Sequence, residues 1–440
     1  MTSSLVGSEM CIRDRFINSI NDTLTNQMED ESMLTGKNVI LGVTGSIAAY
    51  KIANLASALR KLHCNVDVIM TKNATEFINP VTFETLTGNK CLIDTFDRNF
   101  EYNVEHVALA KKADVFLVAP ATANVIGKLA AGIADDMLTT TFLACNCKKI
   151  VAPAMNSNMY LNPVVKDNIL KLKHYNIEVI EPDTGHLACG DDGIGKMPSE
   201  DILLDYIIKE IACEKDMAGM KVCVTAGPTR EAIDPVRFIS NNSTGKMGYA
   251  IARNAMLRGA DVTLISGITA LNPVPFVKMI NVVSAEDMYK AVMENAPACD
   301  IVVKAAAVAD YRPETVSDNK IKKTSGFKEI KLEETTDIIA ALGRYKAEKN
   351  MEGNGQNNRP FLCGFSMETQ NVLGNSKAKL EKKNIDMIVA NNLRTDGAGF
   401  GADTNIVTII TKDDFIELDK MSKFDVAHKI FDNILSMMDN

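Results

Sequence analysis

Apolar residues in this chain cluster in short unbroken runs, each followed by a stretch rich in Gly, Ser, Asn or Thr. Runs of that length predict strands buried on both faces, and strands of that kind belong to parallel sheets. In the first half they are Asn38-Val-Ile-Leu-Gly-Val43, Val66-Asp-Val-Ile-Met70, Val115-Phe-Leu-Val118 and Lys149-Ile-Val-Ala152. In the second half they begin at Val222, Val262, Ile280, Asp300, Phe361, Met387 and Ile406. Helical patterning fills the intervals, over residues 47–62, 249–257, 285–295 and 372–382. The alternation predicts βαβ units and an α/β fold with mostly parallel sheets. The last run and the residues up to Leu418 read instead as a hairpin around Lys412-Asp-Asp414.

Length and charge narrow the classes. A chain of 440 residues, 46% hydrophobic and 24% charged, has the composition of a soluble protein with two or three domains. The expected division is an extension over 1–35, a first domain over 36–212, a short charged linker over 213–219 and a second domain over 220–440. Met1–Arg15 lacks the apolar region of a secretory signal; Ser8–Arg15 within it reads as an adaptor or assembly scar, and Met33 as a natural start. A net charge of −8 and a pI near 5.4 argue against nucleic acid as a partner. No run approaches the roughly 18 apolar residues of a membrane span. Ten cysteines occur without a CxxC pair. The nearest approach, Cys145-Asn-Cys147, lacks the spacing and partners of a zinc site, so reduced thiols in a cytoplasm are expected.

The candidate chemistry lies where the strands end. In open α/β sheets ligands bind at the carboxyl edge. Thr44-Gly-Ser46 turns the first strand into its helix, without a GxGxxG fingerprint. The second strand ends in Thr71-Lys72, where an NAD site would place an acidic residue. A hydroxyl and a cation suit a phosphate, which favours a mononucleotide such as a flavin. The third strand runs into Ala119-Pro-Ala-Thr-Ala-Asn124 and the fourth into Pro153-Ala-Met-Asn156. On local sequence Asn156 reads equally as a helix cap, and His106 as a structural histidine. The Gly-rich stretch 182–197 carries Cys189, either on a mobile flap or as an idle thiol.

The longest polar loop, Thr225 to Gly248, exceeds the roughly 2–6 residues of ordinary βα loops. It carries Arg230, Asp234, Arg237, Asn241, Ser243 and Lys246 between a strand and a helix, the order that presents backbone N–H groups to a phosphate. Ala305-Ala-Ala-Val-Ala-Asp-Tyr311 puts small residues at another strand end. There Asp310 could meet a ribose or base, or serve as an N-cap. Lys320, Lys322 and Lys323 form a cationic run. Lys379 and Lys383 share one helical face, where like charges repel unless an anion lies between them.

Together these motifs carry a resemblance. Gly42-Val-Thr-Gly-Ser-Ile-Ala-Ala-Tyr-Lys51, His106, Ala119–Asn124, Pro153–Asn156 and Ala188-Cys-Gly-Asp191 resemble the flavin-dependent cysteine decarboxylases. Thr225–Gly248, Ala305–Arg312 and Lys320-Ile-Lys-Lys323 resemble phosphopantothenate–cysteine ligase. The order of the two resembles the bifunctional enzymes of bacterial coenzyme A biosynthesis, over about residues 36–437. Tyr160 stands where the family often has Trp, and Ser46 where many members have Gly.

The resemblance implies a flavodoxin-like flavoprotein domain followed by a nucleotide-binding α/β domain. It implies CTP-dependent ligation of cysteine to 4′-phosphopantothenate through an acyl-cytidylate, then FMN-dependent decarboxylation of the product to 4′-phosphopantetheine. Oxidation of the cysteinyl CH₂–SH to a thioaldehyde supplies the electron sink that lets CO₂ leave. It assigns His106 as base, Asn156 to the carboxylate and Cys189 as proton donor, with Gly45, Ser46, Thr71, Thr122, Asn124 and Thr139 around FMN. In the ligase it assigns Lys320 and Asn241 to catalysis, and Ser243, Asp310, Lys320, Asp337, Phe365, Lys379 and Lys383 to CTP. Mg²⁺ or Mn²⁺ and a cytoplasmic homo-oligomer are also implied. A flavoprotein without catalysis, and an NAD-linked dehydrogenase, are the rival classes.

Overall fold

The computed structural model describes residues 33–96, 105–187, 190, 192–322, 329–352, 359–368, 372–392 and 402–438. The chain divides into two compact units, one ending at Cys213 and the other running Glu214–Asn440.

In the first unit, β1 (Asn38–Val43), β2 (Asn65–Met70), β3 (Val115–Ala121), β4 (Lys148–Pro153) and β5 (Glu178–Val179) form one parallel sheet in the order β2-β1-β3-β4-β5. This is the flavodoxin-like winding, in which the chain reverses direction between β1 and β3. Every residue of β3 is buried, as a strand covered by helices on both faces requires. Phe116 of β3 meets Phe142 of the overlying helix Met137–Ala144 edge to face, with centroids 5.4 Å apart. The expected helix 47–62 opens as a 3₁₀ turn, Ile47–Tyr50, and becomes α-helical over Lys51–Lys61. The sheet is followed by a two-stranded hairpin, β6 (Asp183–His186) with β7 (Asp192–Lys196), in the stretch expected to be a flap.

The boundary expected at residue 35 falls earlier. Leu34 is fully buried, and its carbonyl accepts from Lys37 N at 3.1 Å, so the fold includes it. The expected linker likewise belongs to the second unit. Met217 is fully buried, Asp216 pairs with Arg258, and Lys215 Nζ donates to Leu257 O at 2.5 Å.

The second unit is built on an eight-stranded sheet. Its strands are β8 (Lys221–Ala226), β11 (Asp261–Ser266), β12 (Lys278–Asn281), β13 (Ile301–Lys304), β16 (Phe361–Glu368), β17 (Met387–Asn392), β18 (Val407–Thr411) and β19 (Phe415–Glu417). Six strands run parallel in the order β12-β11-β8-β13-β16-β17, and the β18–β19 hairpin adds two antiparallel ones at the edge. The chain reverses between β8 and β13, which opens a second crevice there. The strand expected over 280–283 ends at Asn281, because Ser284 and Asp287 form a capping box for the helix Ala285–Asn295.

The long loop after β8 is not irregular throughout. It folds into a small hairpin, β9 (Arg230–Ala232) with β10 (Phe238–Ser240). Asp234 Oδ1 accepts from Val236 N and Arg237 N, both at 2.9 Å, and so shapes the turn between them. A further hairpin, β14 (Tyr311–Pro313) with β15 (Leu332–Glu334), lies beyond β13. The helix Lys246–Leu257 lies close on β8 at Gly248, where a Cβ would meet Ala226 Cβ at 2.5 Å and Thr225 O at 2.9 Å.

Candidate functional site

Both crevices are stitched by a threonine near the end of the unit's first strand. In the first unit Thr44 Oγ1 donates to Pro120 O at 2.6 Å and accepts from Thr122 N at 3.1 Å. In the second, Thr225 Oγ1 accepts from Ala306 N at 3.1 Å, and Thr229 Oγ1 from Ala309 N at 3.0 Å. A short hydroxyl can satisfy loop N–H groups that no strand partner reaches, so both loops keep a set shape.

Around the first crevice, Gly45, Ser46, Thr71, Thr122, Asn124 and Asn156 lie at the carboxyl ends of β1 to β4. A Cβ at Gly45 would lie 2.7 Å from Asn73 Cβ, so the backbone approaches too closely for a side chain. Ser46 caps the 3₁₀ turn, and Thr122 caps the helix Ala123–Ala131. Asn124 is exposed on that helix's first turn. Thr71 Oγ1 is buried without a hydrogen-bond partner in the protein. An orphaned hydroxyl beside a turn too tight for a Cβ fits the phosphate end of a mononucleotide.

Asn156 caps the helix Ser157–Leu161 by accepting from Asn158 N at 2.8 Å. An amide side chain of this kind carries NH₂ donors as well as the oxygen that caps the helix. His106 is half-buried near the start of the helix Glu105–Lys112, which packs on Met137–Ala144. The β6–β7 hairpin is tied to the Asn156 loop at its base: Met155 N donates to Gly195 O at 3.0 Å and Ser157 Oγ to Ile194 O at 2.8 Å. Cys189, in the connection between those strands, lies outside the described residues. Thr139 is fully buried, and its hydroxyl and N–H both bond Asp136 Oδ1 at 2.8 Å in a capping box. Its local work is thus to start a helix.

Beside β13, over β16 and β17, lies a cavity of about 300 Å³ that brings together Asp310, Asp337, Phe365, Lys379 and Lys383. Asp337 caps the helix Ile338–Glu352 through Ala340 N at 3.1 Å and pairs with Lys383 at 2.8 Å. Although burial opposes it, the Lys383 ammonium and the Ala340 N–H hold its carboxyl below the ordinary range. Thr335 closes the rim, its N–H donating to Asp310 O at 2.9 Å and its hydroxyl to Ala309 O at 2.6 Å.

Sequence reasoning missed Lys304, which also lines the cavity. Burial pushes its ammonium below the usual lysine range, with Asp337 and Asp310 opposing and Lys383 reinforcing the shift. The available signal was a lysine closing an apolar strand directly before three alanines.

Three expected ligase residues are not among the residues that line this cavity. Asn241 is exposed but donates from Nδ2 to Ala307 O at 3.0 Å, which sets it on the adjoining Ala-rich loop. Ser243 Oγ accepts from Gly245 N at 3.3 Å in the turn ahead of the helix Lys246–Leu257. Lys320 is exposed on a segment held by the β9–β10 hairpin. There Ser317 N donates to Ile233 O at 3.1 Å, and Arg237 Nη2 to Ile321 O at 2.6 Å.

Comparison with known proteins agrees with this two-part layout. A family model described as "Flavoprotein" matches residues 27–212, and one described as "DNA/pantothenate metabolism flavoprotein C-terminal domain" matches 217–438. The chain is 47% identical over 409 residues to the coenzyme A biosynthesis bifunctional protein CoaBC of Bacillus subtilis, covering 92% of this chain and 98% of that one. It is 43% identical over 367 residues to a cysteine/cysteine sulfinic acid decarboxylase of an unknown prokaryotic organism, covering 82% and 99%. Among solved structures, the C-terminal domain of a coenzyme A biosynthesis bifunctional protein CoaBC is 42% identical, covering 51% of this chain and 99% of that one, with a TM-score of 0.42. An α/β chain with a flavoprotein-type first half, a matching C-terminal domain and identity of this order over nearly its full length belongs to the family of coenzyme A biosynthesis bifunctional proteins.

Proposed function

We propose that the second unit joins cysteine to 4′-phosphopantothenate using CTP, and that the first unit decarboxylates the resulting 4′-phosphopantothenoylcysteine with FMN. The observation that carries the ligase half is the cavity. Three ammonium groups, from Lys304, Lys379 and Lys383, surround it together with the carboxylates of Asp310, Glu334 and Asp337 and with Phe365. Such a set suits a polyphosphate at one end and a base and ribose at the other. Mg²⁺ or Mn²⁺ would supply positive charge to neutralise the phosphates. Lys320 stabilises charge on the departing pyrophosphate, and Asn241 donates to the acyl oxygen as the cysteine amine attacks. Ser243 serves the same loop.

In the first unit FMN, when bound, supplies a two-electron acceptor and donor. Gly45, Ser46, Thr71, Thr122 and Asn124 form its cradle. His106 takes the proton of the substrate thiol. Asn156 donates to the carboxylate and orients it for loss of CO₂. Cys189 returns a proton to the carbon left behind, and a thiol with an ordinary pKa of about 8.5 still carries that proton at neutral pH. A cytoplasmic homo-oligomer is the proposed form.

The test is to supply 4′-phosphopantothenate, cysteine and CTP and follow CMP and CO₂ together. CMP should appear only with all three substrates, and CO₂ should follow it. The similarity to a cysteine/cysteine sulfinic acid decarboxylase supports a second reading, action on the free amino acid. Release of CO₂ from cysteine alone, at the rate seen with all substrates, would establish that reading instead.

A further inference from the structure

At the end of β4 away from Asn156, the first unit carries a pair of thiols that the proposed function leaves unused. Cys145 is the C-cap of the helix Met137–Ala144, 3% exposed, with an extended backbone (φ −70°, ψ 137°). Cys147 follows two residues later, half-buried, where the chain bends before entering β4. Two residues apart, their Cα atoms can be separated by at most about 7 Å. Separations within that limit overlap the roughly 4.4–6.8 Å a disulfide requires. Each thiol influences the ionisation of the other.

Both cysteines line a concavity of about 730 Å³ with an apolar floor that includes Phe142 and Ile177. Lys148, Lys149 and Lys171 also line it, and no carboxylate does. Lys149 is further positioned by its ammonium lying 5.1 Å from the Phe142 ring centroid. The electrostatics divide the pair into unequal partners. Its interaction with Cys145 and the nearby Lys149 bring the Cys147 thiol below the ordinary range although burial opposes them. The same interaction and burial push Cys145 far up. By contrast, burial pushes the isolated thiols of Cys64 and Cys91 up to about 12, which makes them poor nucleophiles.

We propose that Cys145 and Cys147 form a thiol–disulfide exchange site for anionic low-molecular-weight disulfides, with Cys147 attacking and Cys145 resolving. The Cys147 thiolate attacks one sulfur of the disulfide RSSR. The S–S bond breaks, one RS⁻ leaves with the electron pair, and Cys147 carries a mixed disulfide. Cys145 then gives up its proton and attacks Cys147 Sγ, and the second RS⁻ leaves. The protein dithiol is oxidised to a disulfide and RSSR is reduced to two thiols. A ring closed across one intervening residue is strained, and strained disulfides are the readily reduced ones, so the modification is reversible. The three lysines select for anionic partners by local field.

The experiment treats reduced full-length protein with oxidised glutathione, then alkylates, digests and maps every cysteine against time. In the wild type the peptide spanning 145–147 should lose two hydrogens before any other cysteine reacts. Cys145→Ser should retain glutathione on Cys147, and Cys147→Ser should show neither product at this site. Lys171→Glu, a surface change that spares the thiols, should slow the reaction about threefold or more at low salt and much less at high salt. Cationic cystamine should show the opposite response to that substitution. The proposal is overturned if the cross-link forms first between Cys223 and Cys299, if no intrachain product forms across 145–147, or if glutathione and cystamine respond alike to Lys171→Glu.

Discussion

Asp234 Oδ2 accepts the backbone N–H of Ile321 at 3.2 Å, tying the turn of the β9–β10 hairpin to a residue 87 positions further along the chain. The same carboxylate holds Arg237 Nε at 2.9 Å, and Arg237 in turn donates to Ile321 O. Lys320 is therefore presented by a segment whose shape depends on one carboxylate.

Asp234→Asn should disturb that presentation without removing the lysine. Pyrophosphate release should fall roughly tenfold, the weight of one charge-assisted bond, while decarboxylation of supplied 4′-phosphopantothenoylcysteine stays unchanged. Donors from Val236, Ile321 and Arg237 outweigh burial and hold the Asp234 carboxyl far below the ordinary range. A depressed carboxylate contributes stability above its unfolded pKa of about 3.9 and loses it only as pH falls through the lower folded value. The variant should thus unfold at a lower temperature than the parent at neutral pH, and the gap should close in strong acid. A constant gap across that range would show that the carboxylate's charge is not what matters.

Lys320→Gln and Asn241→Asp should fail at different steps. Loss of a positioned cation opposing phosphate charge costs about 10²–10³-fold in rate, so Lys320→Gln should suppress pyrophosphate release even without cysteine. Asn241→Asp replaces a donor by a negative charge beside Ala307 O. It should still release pyrophosphate but accumulate acyl-cytidylate. Quench-flow measurement of pyrophosphate against CMP separates the two, and arrest of both variants at one step would defeat the division of roles.

Lys304 should take up a proton when nucleotide binds. Burial lowers its pKa in the folded protein, so stability rises with pH between that value and about 10.4, its unfolded pKa, where the unfolded chain holds more protons. A polyphosphate entering the cavity favours the charged form and reverses the shift. Titration calorimetry at alkaline pH, in buffers of differing ionisation enthalpy, should show net proton uptake. Lys304→Met should abolish it, raise the unfolding temperature of the free protein and weaken CTP binding roughly tenfold or more. Equal proton uptake by parent and variant would remove Lys304 from the binding event.

The second unit should function alone if cut before Glu214. A fragment starting there should ligate cysteine with CTP and no flavin. One starting at Lys221 loses the buried Met217 side chain and the Asp216–Arg258 pair. Loss of a buried Met side chain alone costs about 2–5 kcal/mol, so the shorter fragment should unfold at markedly lower denaturant concentration. Identical denaturation midpoints would show that residues 214–220 are only a tether.

The strands were legible in the sequence because burial on both faces writes itself locally, as an apolar run. Asn38–Val43 and Val115–Val118 could hardly be anything else, and Gly45, Thr71 and Asn156 followed from being at the ends of such runs. Tertiary structure decided what short-range pattern cannot carry. The β9–β10 hairpin has three-residue strands without a periodic signature, and Asp234 was recognisable only as a charged loop residue until Ile321 folded onto it. Lys304 reads from sequence only as the lysine closing a strand, and the packing of Asp337, Ile338 and the Lys379–Lys383 helix face around it makes it a half-buried cation. Thr139 shows the converse: its residue type suits a ligand, but the bond it makes to Asp136 is set by a helix start. Sequence determines which residues can be buried or charged. The distances between remote segments determine which of those charges must find each other, because Coulomb and hydrogen-bond energies act only across the few ångströms that folding creates.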